Sequence, residues 1–334
     1  MITPLEQAHM RELAHAVRYA NVRPTPNPRV GCRIIAANGE LISQGIHGTA
    51  GTDHAEVIAL RAAGDRARGA TALVTLEPCN HWGKTGPCSE ALIAAGVARV
   101  VYGSADPNPD AAGGAEKMIA AGIQVVGDAE THLTYELIEP WWFSTLHQRP
   151  FVTLKIASTL DGYVAAQDGS SRWITSEQAR IEVHHLRARV DAVAVGTATA
   201  VADNPRLDVR LEGEWPQPQR FILGNRELPV DLKMENWEQI RSHEPREMLA
   251  HMFDRGVRHV MVEGGASIAA AFIRAGLVDQ LLWFTAPKLL GSGISAVESL
   301  GITNINDAVE WHLLSVLQLG NDVMLDLRPQ HRAG

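Results

Sequence analysis

The 334-residue sequence is poor in cysteine, in positive charge and in long apolar runs, and each shortage excludes a class of protein. Three cysteines cannot form a closed set of disulfides, which favours a reducing compartment. A net charge of −8 without a concentrated basic stripe argues against broad nucleic-acid binding. No apolar run approaches the roughly 20 residues of a membrane span, and the first residues lack the pattern of a signal peptide. We therefore expect a cytoplasmic protein without membrane contact.

The chain length predicts two domains, and the pattern of predicted strands, helices and loops changes near residues 148–150. The first half alternates helical and strand patterns, with a hairpin turn predicted at Asn38-Gly39, which indicates a layered α/β domain. Predicted strands are 30–37, 40–46, 71–76, 99–103 and 123–126, and predicted helices are 5–20, 54–63, 89–95, 115–121 and 130–148.

The second half contains buried-looking strands at 151–157, 191–196 and 258–262, and a helix that Ser176 caps. The strand at 258–262 ends in Glu263-Gly264-Gly265 and is followed by a helix at 266–275. A strand, a glycine pair and a helix start place free backbone N–H groups together, which suits a cofactor pyrophosphate. A simple tight turn is the alternative, since the sequence has no G-x-G-x-x-G fingerprint.

The residues richest in chemical information are His54-Ala55-Glu56, Glu77-Pro78-Cys79 and Cys88. His54, Cys79 and Cys88 are candidate zinc ligands, and Glu56 is a candidate general acid and base. Zinc with three protein ligands keeps a fourth position for water and lowers the pKa of that water. The pattern is that of hydrolytic deaminases of amino-heterocycles, although eight residues rather than two separate the cysteines.

Several segments together resemble one family, the bifunctional deaminase/reductases of riboflavin biosynthesis. Segments of the first half that carry the resemblance are Pro26–Cys32, His54–Glu56, Thr75–Cys88 and Asp106–Pro109. Segments of the second half are Lys155–Gly162, Ser171–Thr175, Gly196–Thr199, Ala202–Pro205, Glu263–Gly265 and Ala286–Gly291. The resemblance covers nearly the whole chain, and Asn80 and Lys84 look most like the actinobacterial branch.

The resemblance implies a cytidine-deaminase-like three-layer domain over residues 1–148 and a dihydrofolate-reductase-like α/β domain over residues 149–334. It implies a hydrolase and an oxidoreductase acting in sequence. The first activity deaminates 2,5-diamino-6-(5-phosphoribosylamino)pyrimidin-4(3H)-one. The second reduces the ribosyl group of the resulting 5-amino-6-(5-phosphoribosylamino)uracil to a ribityl chain. The implied cofactors are one Zn²⁺ per chain and NADPH, and the implied partners are these small molecules and further copies of the chain.

Matching positions extend the resemblance to individual residues of the first domain. Asn27 and His47 match contacts to the pyrimidine or the phosphate, with a solvated loop histidine as the alternative for His47. His81 is a substrate contact or a rival zinc ligand, and Cys32 is expected in the core. Gly86 stands where the family has proline, so the geometry of the zinc loop is open.

Matching positions in the second domain divide by role. Lys155 and Asp203 match polar contacts around the sugar and the nicotinamide, and we expect them to be catalytic. Trp173 matches a cofactor contact, with core packing as the alternative. Substrate-binding positions are Ser171, Arg187, Leu207, Arg210 and Glu263. Cofactor-binding positions are Ala157, Trp173, Thr199, Asp203, Asn225, Gly265, Ala266, Ser267, Ile268, Ala269, Ala270 and Ala271.

Two alternatives to this function follow from the same residues. One is a deaminase of nucleobases or nucleic acids with an accessory domain, and the other is a regulatory relative that has lost its chemistry. The sequence leaves four points open. They are the oligomeric state, the preference for NADPH over NADH, the passage of the intermediate between sites and the role of residues 227–244. The apolar run Leu281–Phe284 is either part of a subunit interface in the reductase half or a buried central strand.

Overall fold

The computed structural model describes residues 1–82 and 86–330. The chain divides into two compact units, Met1–Leu146 and His147–Gly334.

The first unit is a five-stranded mixed sheet with helices on both faces. Its elements are α1 (Pro4–Arg18), β1 (Gly31–Ile35), β2 (Leu41–Ile46), α2 (Ala55–Ala63), β3 (Thr71–Leu76), α3 (Cys88–Ala95), β4 (Arg99–Ser104), α4 (Gly114–Ala120), β5 (Gln124–Val126) and α5 (Thr131–His147). The strand order is β2-β1-β3-β4-β5, in which β1 is antiparallel to β2 and β3 while β3, β4 and β5 are parallel.

Alternating side chains of β3 explain the three layers. Ala72 and Val74 pack in a core with α2, α3 and α4, whereas Leu73 points to the other face and packs with α1. The capping box at the start of α1 is formed, because Thr3 accepts from the Glu6 N–H and Glu6 accepts from the Thr3 N–H. The predicted turn is present as well, with Gly39 at φ +86°.

The second unit is built on an eight-stranded sheet. Its elements are β6 (Phe151–Thr159), β7 (Tyr163–Ala165), α6 (Glu177–Arg189), β8 (Ala192–Gly196), α7 (Thr197–Asp203), β9 (Gln219–Leu223), β10 (Trp237–Ile240), α8 (Pro245–Asp254), β11 (His259–Val262), α9 (Ala266–Arg274), β12 (Gln280–Ala286), β13 (Ile294–Ser295), β14 (Trp311–Leu319) and β15 (Asp322–Pro329). The strand order is β10-β9-β8-β11-β6-β12-β15-β14, with the strands from β10 to β12 parallel and the last two antiparallel.

Apolar residues cover both faces of the parallel strands, as expected for a sheet between two layers of helices. In β8, Ala192 and Ala194 face one core while Val193 and Val195 face the other. Leu281, Leu282 and Phe284 lie buried in β12, which has strand neighbours on both sides in the sheet, so the run is a buried internal strand.

Candidate active sites

The three candidate zinc ligands lie at the ends of regular elements in the first unit. His54 is the N-cap of α2, Cys88 is the first residue of α3, and Cys79 follows the carboxyl end of β3. Two helix N-termini therefore converge on one point, and their positive ends favour thiolate over thiol.

The spacing of the ligand atoms fits a single zinc ion. His54 Nδ1 lies 3.2 Å from Cys88 Sγ and 3.7 Å from Cys79 Sγ. All ligand atoms of the three residues lie within 4.8 Å of one another. Ordinary Zn–N and Zn–S bond lengths at tetrahedral angles place such atoms about 3.5 Å apart. One nitrogen and two sulfurs are also the donor set that zinc prefers, so the residues fit the metal.

A hydrogen bond between Cys79 and Cys88 ties the ionisation of the two thiols together. A hydrogen bond from Cys88 lowers the pKa of Cys79, and the same bond raises the pKa of Cys88. The thiolate form of Cys79 is thus favoured, and a bound cation would take the place of the remaining thiol proton. His81, the rival ligand, does not belong to the cluster that the described residues form.

Glu56 is buried in the first turn of α2, two residues after His54. Burial and the negative charge of Cys79 raise the pKa of Glu56 to about 7. The carboxyl group also lies within hydrogen-bonding reach of Cys88. A carboxyl group with a pKa near the working pH can both accept and return a proton, which is what general acid–base catalysis requires.

A cavity of about 420 Å³ opens in front of this group, lined by Asn27, His47, His54, Glu56 and Cys79. His47 is buried, so the solvated-loop interpretation is wrong. His47 Nδ1 lies 3.0 Å from the Asp53 carbonyl and its Nε2 lies 3.0 Å from Asn27 Nδ2. Because a carbonyl accepts only, Nδ1 carries the proton and Nε2 accepts from the Asn27 amide. Burial lowers the pKa of His47, so a neutral ring orients Asn27 in the cavity.

Sequence reasoning gave no role to some residues of this cavity. Asp106 and Asn108 line it, just beyond the carboxyl end of β4, which runs parallel to β3. Buried Glu77 accepts hydrogen bonds from the Asp106 and Ala115 N–H groups and so holds this loop. The signal available in the sequence was the polar run Asp106–Pro109 directly after a strand.

Trp141 also lines the cavity, and the sequence offered no signal for it. Cys32 is buried in β1, as expected for a core residue. A Cβ on Gly86 would lie 3.5 Å from the Trp82 ring, an ordinary contact. Lys84, part of the resemblance to the actinobacterial branch, lies outside the described residues.

In the second unit an ion cluster joins three of the predicted residues. Lys155 lies on β6, and Glu263 follows the neighbouring strand β11. Arg187 of α6 donates to Glu263 through Nε at 2.7 Å and Nη2 at 3.1 Å, and Lys155 Nζ lies 3.7 Å from the same carboxylate. Burial raises the pKa of Glu263, but Arg187 and Lys155 lower it more, to about 2. Burial lowers the pKa of Lys155.

This pairing changes what Arg187 can do. Its Nη1 also donates to the Asp208 carbonyl, so most of its donors are engaged before any substrate arrives. Arg210 pairs with the Asp208 carboxylate and keeps about half of its side chain exposed. Of the two arginines among the predicted substrate-binding positions, Arg210 is therefore the more accessible.

The remaining predicted substrate positions lie on connecting segments. Leu207 is buried with φ +52° and its side chain packs in the apolar core, and Ser171 lies half-buried in the segment after β7. Asp203 ends α7, and its carbonyl accepts a 2.6 Å hydrogen bond from Arg172 Nη2.

A second cavity, of about 410 Å³, lies where β8, β9, β10 and β11 end. Among the predicted cofactor positions, Thr199, Gly265, Ser267, Ile268 and Ala271 line it. The starts of α7 and α9 face this space, and the carboxyl edge of a parallel sheet is where such folds bind dinucleotides. The residues present thus fit a dinucleotide cofactor.

Residues 265–271, all predicted to bind the cofactor, point in two directions because most of them lie on one helix. The side chains of Ala269 and Ala270 are fully buried, while Ser267, Ile268 and Ala271 face the cavity. The glycine pair also allows the tight turn from β11 into α9. A Cβ on Gly264 would lie only 2.9 Å from the Ile268 side chain, so a larger residue would crowd this turn.

The other predicted cofactor positions do not line this cavity. Trp173 is 63% exposed and stacks with the Arg180 guanidinium, whose central carbon lies 4.4 Å from the ring centroid, so core packing is wrong for it. Ala157 is half-buried on β6, and Asn225 is exposed just after β9.

The sequence profile of the cytidine and deoxycytidylate deaminase zinc-binding region matches residues 4–104, and the profile of the RibD C-terminal domain matches residues 150–325. The riboflavin biosynthesis protein RibD of Mycobacterium tuberculosis is 45% identical over 90% of this chain and 91% of its own length. That of Escherichia coli is 38% identical over 90% and 93%. The chain belongs to the RibD family.

A solved RibD structure agrees over the full length. Acinetobacter baumannii RibD matches with a TM-score of 0.84, 35% sequence identity, and coverage of 98% of this chain and 99% of that one. RibD proteins combine a deaminase and a reductase of riboflavin biosynthesis, with Zn²⁺ and NADPH as cofactors, and the two matched domains fit this combination. Among the described residues, no helix is long and apolar enough to cross a membrane.

Proposed function

We propose that this protein catalyses two consecutive steps of riboflavin biosynthesis. The first is hydrolytic deamination of 2,5-diamino-6-(5-phosphoribosylamino)pyrimidin-4(3H)-one, and the second is NADPH-dependent reduction of the deaminated product to the ribityl compound. The observation that carries the proposal is the cluster of His54, Cys79 and Cys88 next to buried Glu56, at a cavity that His54, Cys79 and Glu56 line, in a chain that also has the reductase domain.

In the first reaction, His54, Cys79 and Cys88 hold the zinc. When bound, zinc supplies a Lewis acid that lowers the pKa of a water ligand. Glu56 would carry one proton of the attacking water to the pyrimidine ring nitrogen and the other to the departing amine, which leaves as ammonia while the water oxygen stays on the ring carbon. The Asn27 amide, oriented by His47, contacts the polar edge of the pyrimidine.

In the second reaction the cofactor supplies the hydride and the protein positions the acceptor. We assign Lys155 and Asp203 to the sugar and the nicotinamide, with Lys155 held by Glu263. Arg210 is assigned to the phosphate, since its guanidinium is accessible. The cavity at the ends of β8–β11 receives the cofactor, with Thr199, Ser267 and Ile268 on its wall.

We assign residues 1–148 to the deaminase and residues 149–334 to the reductase. The nucleic-acid deaminase is disfavoured by the reductase domain and by the net charge of −8. The regulatory relative is disfavoured by the intact set of ligands and acid.

The test is incubation with the diaminopyrimidinone phosphate, with and without NADPH, followed by mass analysis. Without NADPH we expect the uracil product and one equivalent of ammonia. With NADPH we expect the ribityl compound and matched NADPH oxidation. Absence of ammonia from a zinc-loaded preparation would refute the first step.

We also propose a cytoplasmic homo-oligomer, assembled through β14. This strand ends the eight-stranded sheet, so one of its backbone edges has no strand neighbour among the described residues, and Leu313 and Val316 are more than half exposed. A second copy can pair with this edge and cover these side chains. The change Val316→Lys should reduce the particle mass in light scattering, whereas Val230→Lys, on an exposed loop, should not. An unchanged mass in the Val316 variant would exclude this edge.

A further inference from the structure

Trp141 lines the deaminase cavity and is its one large aromatic hydrocarbon surface among the described residues, the other rings being the imidazoles of His47, His54 and His81. The rest of the lining is glycine, proline, aliphatic residues and non-aromatic polar side chains. The zinc ligands, Glu56, Asn27 and His47 account for the reacting edge of a pyrimidine. They leave its two flat faces without an assigned partner.

The position of Trp141 on α5 explains how the ring comes to face the cavity. The buried face of this helix carries Thr134, Ile138 and Ser144. Trp141 lies three residues from both Ile138 and Ser144, so it belongs to the same face of the helix. None of the four apolar core clusters of the described residues includes it. The side chain therefore extends the buried face of α5 beyond the core and into the cavity.

Trp142 provides a contrast at the next position. Its ring centroid lies 6.0 Å from that of Trp141 at an interplanar angle of 45°, so the two rings pack together. Trp142 does not line the cavity. The pair thus contains one tryptophan that lines the cavity and one that does not, so Trp142 is a matched control for Trp141.

We propose that Trp141 is a positioning residue of the deaminase, and that the aminopyrimidine ring of the substrate stacks on its indole. Stacking holds the planar heterocycle at a fixed depth, with its amino-bearing carbon toward Glu56 and the metal. The interaction selects flat, unsaturated rings. The inference deepens the function proposed above and rests on it.

The test compares the steady-state kinetics of ammonia release in Trp141→Leu, Trp141→Phe and Trp142→Leu. Leucine keeps apolar bulk but removes the aromatic face, and a base on an aromatic side chain is worth a factor of about 10 to 100 in affinity. We expect KM to rise by about that factor in Trp141→Leu, with kcat much less changed. Phenylalanine should restore most of the affinity, and Trp142→Leu should stay near the wild type.

Two controls make the result decisive. Zinc content should be equal in all variants, and the rate of NADPH oxidation with the uracil phosphate supplied directly should be unchanged, because that site is in the other unit. An unchanged KM in Trp141→Leu, or equal damage from phenylalanine and leucine, overturns the stacking role. If leucine disrupts zinc binding, the phenylalanine variant decides alone, since a rise in KM beyond about tenfold there contradicts stacking. Failure of the wild type to release ammonia would instead overturn the proposed function.

Discussion

Two buried glutamates, one in each unit, have opposite properties. Glu56 is buried beside thiols, and its pKa is raised to about 7. Glu263 is nearly as enclosed, with 11% of its side chain exposed, but lies between Arg187 and Lys155, and its pKa is lowered to about 2. The same side chain is thus a proton carrier in one site and a permanent counter-charge in the other. Neighbouring charges, more than burial itself, decide the role.

The comparison also separates two kinds of catalysis. In the deaminase the reacting groups belong to the protein and its metal, so they must be side chains of a particular type. In the reductase the hydride comes from the cofactor, and the protein needs only a shaped cavity and correctly placed charges. Substitutions in the two units should therefore impair the protein in different ways.

The largest expected effect comes from Glu56→Gln. Glutamine keeps the shape but cannot carry a proton, so ammonia release should fall by a factor on the order of 10³ or more. The free energy of unfolding of the first unit should not fall, because glutamine lacks the charge that burial disfavours. Zinc analysis and NADPH oxidation with the uracil phosphate serve as controls and should match the wild type. Unchanged ammonia release would contradict the assigned role.

The corresponding change in the second unit, Glu263→Gln, should act on stability. It leaves Arg187 and Lys155 without their shared carboxylate, and breaking a buried ion pair costs about 3–5 kcal/mol. Because the folded-state pKa is lowered, the stabilisation is present above the unfolded pKa and is lost as the pH falls through about 2. Chemical denaturation should show a deficit at pH 7 that narrows below about pH 4.5. A pH-independent deficit would point to packing instead.

Lys155→Ala should separate the two activities. NADPH oxidation should fall by about 10²-fold, because a positioned donor near the reacting sugar is lost. Ammonia release should stay at the wild-type rate. Lys233→Ala, which changes an exposed lysine of the same unit, is the matched control. A parallel loss of both activities would show that the two units are functionally coupled.

The smallest effect is expected for Arg210→Ala. Removing an accessible guanidinium from the phosphate should raise the KM for the uracil phosphate about tenfold, with kcat little changed. Inorganic phosphate should inhibit the wild type more strongly than the variant. Equal inhibition of both would place the phosphate elsewhere.

Much of the deaminase site could be predicted because its chemistry restricts residue types. His54, Glu56, Cys79 and Cys88 stand at strand and helix ends that the hydrophobic pattern also predicts. Trp141 could not be found, because its place in the cavity depends on how α5 packs, more than 50 residues along the chain from the zinc ligands.

Less of the geometry of the reductase site could be predicted from the sequence. The pairing of Arg187 with Glu263 joins residues 76 positions apart and exists only once β6, β11 and α6 have assembled. The run 265–271 was predicted as one group, and only the helix divides it into cavity and core faces. Strands β9, β10, β14 and β15 were not predicted, although the core strands β6, β8 and β11 were confirmed.

The most direct test of the account is the zinc content of the purified protein, measured together with ammonia release. We predict one zinc per chain, and Cys88→Ser should lower both the zinc content and ammonia release while NADPH oxidation continues. Full deaminase activity in a protein freed of zinc would contradict the account, as would an undiminished zinc content in the Cys88 variant.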